Sequence, residues 1–234
     1  MTPLTINVSG QSSISRHPER GVLQVSVKAD GHDKETVSKE VTLTSNELHQ
    51  LFKELSPKDV FGILTADAPV TIFSSTMLRT WSQASTDKDG NPLPRVHYAT
   101  SSYQVFFRDF AKLSEVVGKL VTYPNVEIQS IDWRLTDSTQ KALGCESRQL
   151  AMRDAIQKAN DFAEVIGRKV VPVEINDGGQ GSFNQTHQMP MVKSRLFGSA
   201  APASIPDASN ALDLTPQDIR FTGSVDVKFE AVSD

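Results

Sequence analysis

An α+β fold, with antiparallel sheets and amphipathic helices packed on one face, is predicted by three patterns in this chain. Strict apolar/polar alternation marks strands near both ends. Apolar residues at three- and four-residue spacing mark helices between them. Clusters of turn formers separate several of the strands, and strands joined by hairpins pair antiparallel. The expected order is β-β-α-β-β-α-β-α-β-β, read as a single domain over residues 1–234 with a long loop insertion at about 178–214. A chain of 234 residues buries about 70% of its extended surface on folding, enough for a core without staples.

The first strand alternates Leu4, Ile6 and Val8 against Thr5, Asn7 and Ser9. A second places Leu23, Val25 and Val27 on one face, and His17-Pro18-Glu19 between them reads as a hairpin connection. Residues 33–56 change period. Val37, Val41, Leu48, Leu51, Phe52 and Leu55 form one stripe of an amphipathic helix. The β-branched stretch Val41-Thr42-Leu43-Thr44 weakens its middle, and Ser45 is placed to cap a second segment after a kink.

Two long strands are expected at 69–84 and 95–107 around the turn-rich Asp87-Lys88-Asp89-Gly90-Asn91-Pro92. At about 3.3 Å per residue they reach roughly 40–50 Å, so part of this hairpin is expected to project as an arm. Pairing about the turn brings Trp81 near His97 or Tyr98, as a cross-strand aromatic pair or a contact for a partner. Asp109 is positioned to cap a helix to Thr122, closed by Pro124. Val126-Glu127-Ile128 and Ile131 to Leu135 alternate in opposite phase, predicting a bulge at Gln129-Ser130 or a change of partner.

From Asp137 the helical period returns, with Ala151, Ala155, Ala159 and Ala163 four apart and Leu150, Ile156, Phe162 and Ile166 beside them. Small residues at this spacing let a helix approach a sheet closely, and Gly167 stands where a left-handed C-cap belongs. Val170 to Ile175 reads as a buried strand, with Pro172 suggesting an edge or a bulge. Ile219, Phe221, Gly223, Val225, Val227, Phe229 and Ala231 alternate with polar residues in the clearest strand of the chain.

Taken together, these segments resemble the SIMPL-domain proteins (the DUF541 family). The resemblance rests on Leu4 to Gln11 with Pro18-Glu19 and Leu23 to Val27, on Tyr98 with Tyr103-Gln104-Val105 and Phe107 to Leu113, on Ile131 to Asp137, and on Ala151 to Gly167 followed by Val170 to Glu174. Glu19 stands where the family usually has Asp, and His97 where it usually has Gly. The resemblance implies an interaction or stress-linked protein, often self-assembling, with no catalytic residues to transfer. It is closer to the intracellular relatives named for association with an interleukin-receptor kinase than to the exported bacterial members.

The chemistry that the residues offer is sparse. His17, His32, His49, His97 and His187 have no ligand spacing, and with one cysteine no metal site or cofactor is expected. No phosphate loop, dinucleotide fingerprint or nucleophile elbow is present. Cys145 reads as a small half-buried residue, and Asp137 as a helix cap rather than a partner of Asp132. A net charge of −4 gives no general attraction to nucleic acid. Neither a membrane span nor a basic region leading into an apolar signal run is expected, so the expected location is cytoplasmic.

Function is accordingly expected to be non-catalytic: a protein-interaction or self-assembling module, linked to signalling or stress response through the resemblance. Its partner is another protein or its own copies, with no nucleic acid and no membrane. The contact residues expected are Trp81, His97 and Tyr98 of the hairpin, with Met191, Lys193, Arg195 and Phe197 of the long loop. The alternative is a small-molecule-binding protein or enzyme with a pocket between helices and sheet, gated by 178–214, for which Tyr98, Trp133, His97 and Asp132 are candidates.

Overall fold

The computed structural model describes residues 4–178 and 214–232 in full, and 182–184 by their backbone. Its elements are β1 (Thr5–Arg16), β2 (Arg20–Gly31), α1 (Lys34–Glu54), β3 (Val70–Ser75), β4 (Arg79–Gln83), β5 (Val96–Phe107), α2 (Phe110–Leu120), β6 (Val126–Arg134), α3 (Asp137–Ile166), β7 (Lys169–Asp177), β8 (Ser182–Asn184) and β9 (Ile219–Val232). The fold is α+β, as the alternation and helical periods predict. Two antiparallel sheets form, one ordered β1-β9-β7 with β8 also on β9, the other β3-β5-β2-β6 with β4 also on β5. The described chain divides into two compact units. The first joins the residues up to Glu19 to those after Asp132 through β7 and from Pro216 on, and the second is Arg20–Asp132.

The expected hairpin between the first two strands does not form. All twelve residues of β1 pair with β9, and β2 pairs with β5. Alternation reports which face of a strand is apolar but not which strand lies beside it. Glu19 at this crossing has a structural task instead. Its Oε2 accepts from Thr136 N–H at 2.7 Å and Thr136 Oγ1 at 2.6 Å, and its Oε1 accepts from Thr139 Oγ1 at 2.7 Å. This carboxylate holds the first turn of α3, where the helix dipole favours negative charge. Thr136 is the N-cap and Asp137 only the first helical residue, which corrects the capping role expected of Asp137. Glu19→Ala is expected to cost about 2–3 kcal/mol, read as a lower urea midpoint at unchanged slope.

The alanine stripe of α3 does what its spacing predicts. Ala151, Ala155 and Ala159 are buried with Val8, Val225, Val227 and Phe229. Leu143 and Ser147 extend the same line toward the N-terminus of the helix. A Cβ placed on Gly10 of β1 would lie 1.9 Å from the Ala151 carbonyl oxygen, so helix and strand touch backbone to backbone. Gly167 closes the helix in the left-handed conformation, with φ of 64°. Leu150, Ile156, Phe162 and Ile166 lie beside the stripe and stay partly in water.

Strand β1 is an edge, and α3 guards it. Asp154 Oδ2 accepts from Gln11 N–H at 2.8 Å, while Lys158 Nζ donates to Ser9 O at 2.9 Å and to Asp154 Oδ2 at 2.7 Å. The pair takes the donor and acceptor positions that an added strand would fill. The Lys158 ammonium and the Gln11 amide hold the Asp154 carboxyl below its ordinary pKa. Its contribution is therefore present above the ordinary carboxylate pKa and is lost as pH falls through the depressed value. At the other edge β7 is bulged between Pro172 and Glu174, as Pro172 suggests. It is not buried: Val171, Val173 and Ile175 are exposed, because β7 has β9 on one side only and α3 lies mainly over β1 and β9.

In the second unit α1 and α2 cover one face of β2 and β5. The kink expected in α1 is absent, and one continuous helix runs from Lys34 to Glu54 with Asp33 as N-cap. Val37, Val41, Thr44, Leu48 and Phe52 form an unbroken buried stripe, and burial overrides the weak propensity of the middle. Tyr103 Oη donates to Ser45 O at 2.6 Å, tying this middle turn to β5. Asp109 caps α2 as expected, accepting from Lys112 N–H at 3.0 Å. Along β6 alternation gives way to three consecutive buried residues, Ile131, Asp132 and Trp133, where the sequence changes phase.

The single strand expected over 69–84 is two strands. A register shift between Val70 and Ile72 is followed by a break at residues 76–78, beyond which the β4 pairing has slipped by one residue. Thr76 clamps the break, donating its N–H to Ser102 O at 2.8 Å and accepting at Oγ1 from Ser102 N–H at 2.9 Å.

Candidate functional site

The hairpin of β4 and β5 is where the sequence places its contact residues. Trp81 lies directly opposite Tyr98, and Ser82 opposite His97. The Trp81 and Tyr98 rings stack at 5.2 Å between centroids with 10° between planes. This is the pairing that the turn arithmetic predicts. The stack is not a core feature, since every residue of β4 is exposed and Trp81 itself is 50% exposed. Met77, Leu78 and Leu93 are exposed on the same hairpin. Met191, Lys193, Arg195 and Phe197 lie outside the described residues.

The hairpin ends in an ordered turn. Asp87 N–H donates to Asn91 O at 2.9 Å, and Asp87 Oδ1 accepts from Asp89 N–H at 2.9 Å and Asn91 N–H at 2.8 Å. Gly90 supplies the left-handed residue, with φ of 84°. The Asn91 backbone and side-chain amides, followed by the weaker Asp89 and Gly90 N–H groups, hold the Asp87 carboxyl below its ordinary pKa. The turn is therefore fixed above the usual carboxylate range and loosens as pH falls through the depressed value.

A second exposed apolar element was not expected from the sequence. Between α1 and β3 the chain makes a tight loop in which Val60 is 93% exposed, Phe61 84% and Ile63 65%. Asp59 organises it: its Oδ1 accepts from Phe61 N–H and Ile63 N–H, both at 2.9 Å, and its own N–H donates to Ile63 O at 2.8 Å. Arg108 holds the base, donating to Ala66 O at 2.6 Å and Thr65 O at 3.1 Å. Apolar residues inside a segment bracketed by Pro57 and Gly62 are the signal that was there to be read.

A shallow depression of about 290 Å³ lies on the sheet of the first unit, lined by Asn7, Ser9, Glu174, Asn176, Asp226 and Lys228 among others. Register places these six in two rows across β1, β9 and β7, Asn7–Lys228–Glu174 and Ser9–Asp226–Asn176. They alternate with Val8 and Val227, which are buried with the alanines of α3, so the depression opens on the face away from that helix. Ser9 Oγ donates to Asp226 Oδ1. None of the residues expected to line a pocket contributes. Asp132 and Trp133 are each 4% exposed, and Asp132 accepts from Gln24 Nε2 at 3.2 Å. Cys145 is exposed rather than half-buried. Among the described residues no three His, Cys, Asp or Glu side chains gather as metal ligands, and no helix is long and apolar enough to cross a membrane.

Comparison with known proteins decides the family. The SIMPL family, described as a protein of unknown function (DUF541), matches residues 6–229. The chain belongs to the SIMPL family. The match spans the segments that carry the resemblance from Ile6 on, from the β1 alternation to the α3 alanine stripe. The chain is also similar to the "Uncharacterized protein YggE" of Edwardsiella ictaluri (strain 93-146), at 22% identity over 223 residues, covering 94% of this chain and 84% of that protein.

Proposed function

We propose that this SIMPL protein is a non-catalytic protein-interaction module that docks, onto its own copies or another protein, through the β4–β5 hairpin. The observation that carries the reading is the exposed Trp81–Tyr98 stack on a strand with no buried residue, beside Met77, Leu78 and Leu93. Aromatic and Met side chains are enriched at protein interfaces, and Trp is a frequent hot spot. The hairpin is tied at Thr76 and at Asp87, so little ordering entropy opposes docking. Trp81→Ser is expected to weaken association at least tenfold by light scattering across a concentration series, with the folded-state circular dichroism unchanged. Wild-type association in that variant, or in a second lacking residues 85–93, overturns the reading.

Within the family, the reading places the chain with the intracellular, kinase-associated type, in a signalling or stress-response setting. The single cysteine, Cys145, supports it: an exposed thiol without an intrachain disulfide partner suits a reducing compartment. Fractionation of the native host is expected to recover the protein with cytoplasmic markers; recovery with exported proteins contradicts the placement.

A further inference from the structure

The two ordered turns of the second unit share one backbone design. In Asp59-Val60-Phe61-Gly62-Ile63 and in Asp87-Lys88-Asp89-Gly90-Asn91, the leading aspartate donates its N–H to the carbonyl four residues on. Its Oδ1 accepts from the N–H groups two and four residues on, and the glycine three residues on is left-handed, φ 78° in one and 84° in the other. The apex positions differ completely. One turn carries Val60 and Phe61 where the other carries Lys88 and Asp89. The second turn demonstrates that this geometry needs no apolar apex, so local folding does not account for Val60 and Phe61 standing almost fully in water.

We infer that the Val60–Phe61–Ile63 turn is a rigid anchor that inserts into the hairpin surface of a second copy of this chain, giving head-to-tail assembly. The inference rests on the proposed role of the hairpin and adds its complement. The two surfaces sit at opposite ends of β5. Val70, just after the anchor loop, pairs with Phe107, and Arg108 grips the loop base, whereas β4 pairs with Val96 to Thr100. A strand of 12 residues separates its ends by roughly 40 Å. An anchor-to-hairpin contact joins two unlike patches, so it generates head-to-tail assembly unless two copies close reciprocally on each other, and assemblies larger than a dimer separate the two arrangements. The three anchor side chains offer on the order of 400 Å² of apolar surface. The exposed Met77, Leu78, Trp81 and Leu93 of the hairpin offer a similar amount, and the two sides together approach the lower bound of about 1,000 Å² for a specific interface once a polar rim is added. Charge also favours a copy over an anionic lipid surface. The stretch 53–67 holds two lysines against three acids and the stretch 77–97 three basic residues against two acids, so the ends are weakly complementary and the anchor is not basic.

The test is complementation between two full-length variants. Val60→Lys with Phe61→Asp gives the anchor turn the apex that the other turn already carries, and Trp81→Ser disables the hairpin. The wild type is expected to form assemblies larger than a dimer in sedimentation velocity, and each variant alone to lose them. Their equimolar mixture is expected to form a 1:1 pair and nothing larger, because one intact contact remains. A monomeric wild type overturns the inference, as does a mixture that does not pair. If the anchor variant assembles like the wild type while Trp81→Ser does not, the anchor role falls and the hairpin reading stands. If Trp81→Ser assembles normally, the hairpin reading itself falls. Loss of binding to phosphatidylserine vesicles in the anchor variant, with assembly unchanged, assigns the loop to a lipid surface instead.

Discussion

Gly10→Ala is expected to destabilise the protein by about 3 kcal/mol or more, the reverse of what a glycine in a strand ordinarily gives. Replacing a strand glycine by alanine usually stabilises by roughly 0.5–1 kcal/mol through backbone entropy. Here the new methyl would stand 1.9 Å from the Ala151 carbonyl oxygen and 2.8 Å from the Ala155 nitrogen. Both atoms belong to helix backbone, so no rotamer change relieves the clash and α3 has to lift from β1. Lifting it uncovers Val8, Val225, Val227 and Phe229 together. Gly144→Ala is the control, because a Cβ there meets nothing closer than the Arg148 guanidinium at 3.7 Å. It is expected to stabilise by about 0.5–1 kcal/mol. Urea midpoints of the two variants moving in the same direction contradict the backbone-contact description of this layer.

Phe52→Ala is expected to cost about 3–5 kcal/mol. Phe52 is fully buried, with its ring 6.0 Å from that of Phe73 and 5.7 Å from that of Tyr103. It is the last buried side chain of the α1 stripe and meets β3 and β5 through those two rings. The cavity cannot collapse readily, because Tyr103 is held by Ser45 O and Phe73 packs edge-on against His49. Phe52→Leu keeps most of the volume and is expected to cost under about 1.5 kcal/mol. Equal losses for the two variants would mean that the site is not packed as described.

Much of this was legible in the residues because the signals are local. The β9 alternation, the alanine spacing of α3, Gly167 at its end and Asp109 before α2 each specify a geometry that neighbouring residues enforce. The Trp81–Tyr98 pair follows from counting residues back from Asp87 to Pro92. What was not legible is non-local. Whether β1 pairs with β2 or β9 depends on partners more than two hundred residues apart, and two apolar faces look alike whichever sheet they join. The α1 kink failed because a buried stripe outweighs a β-branched stretch. The anchor loop escaped because five residues are too few to show a period, and its order comes from one aspartate side chain. The contact expected at Met191 to Phe197 lies outside the described residues.

The two tryptophans make the docking claim measurable without altering the chain. Trp81 is half in water on the hairpin and Trp133 is buried in the first unit. In protein labelled with 5-fluorotryptophan, the fluorine resonance of Trp81 is expected to shift and broaden as concentration rises, while that of Trp133 stays in place. A Trp81 signal that is sharp and unmoved while the measured mass increases would contradict docking through the hairpin.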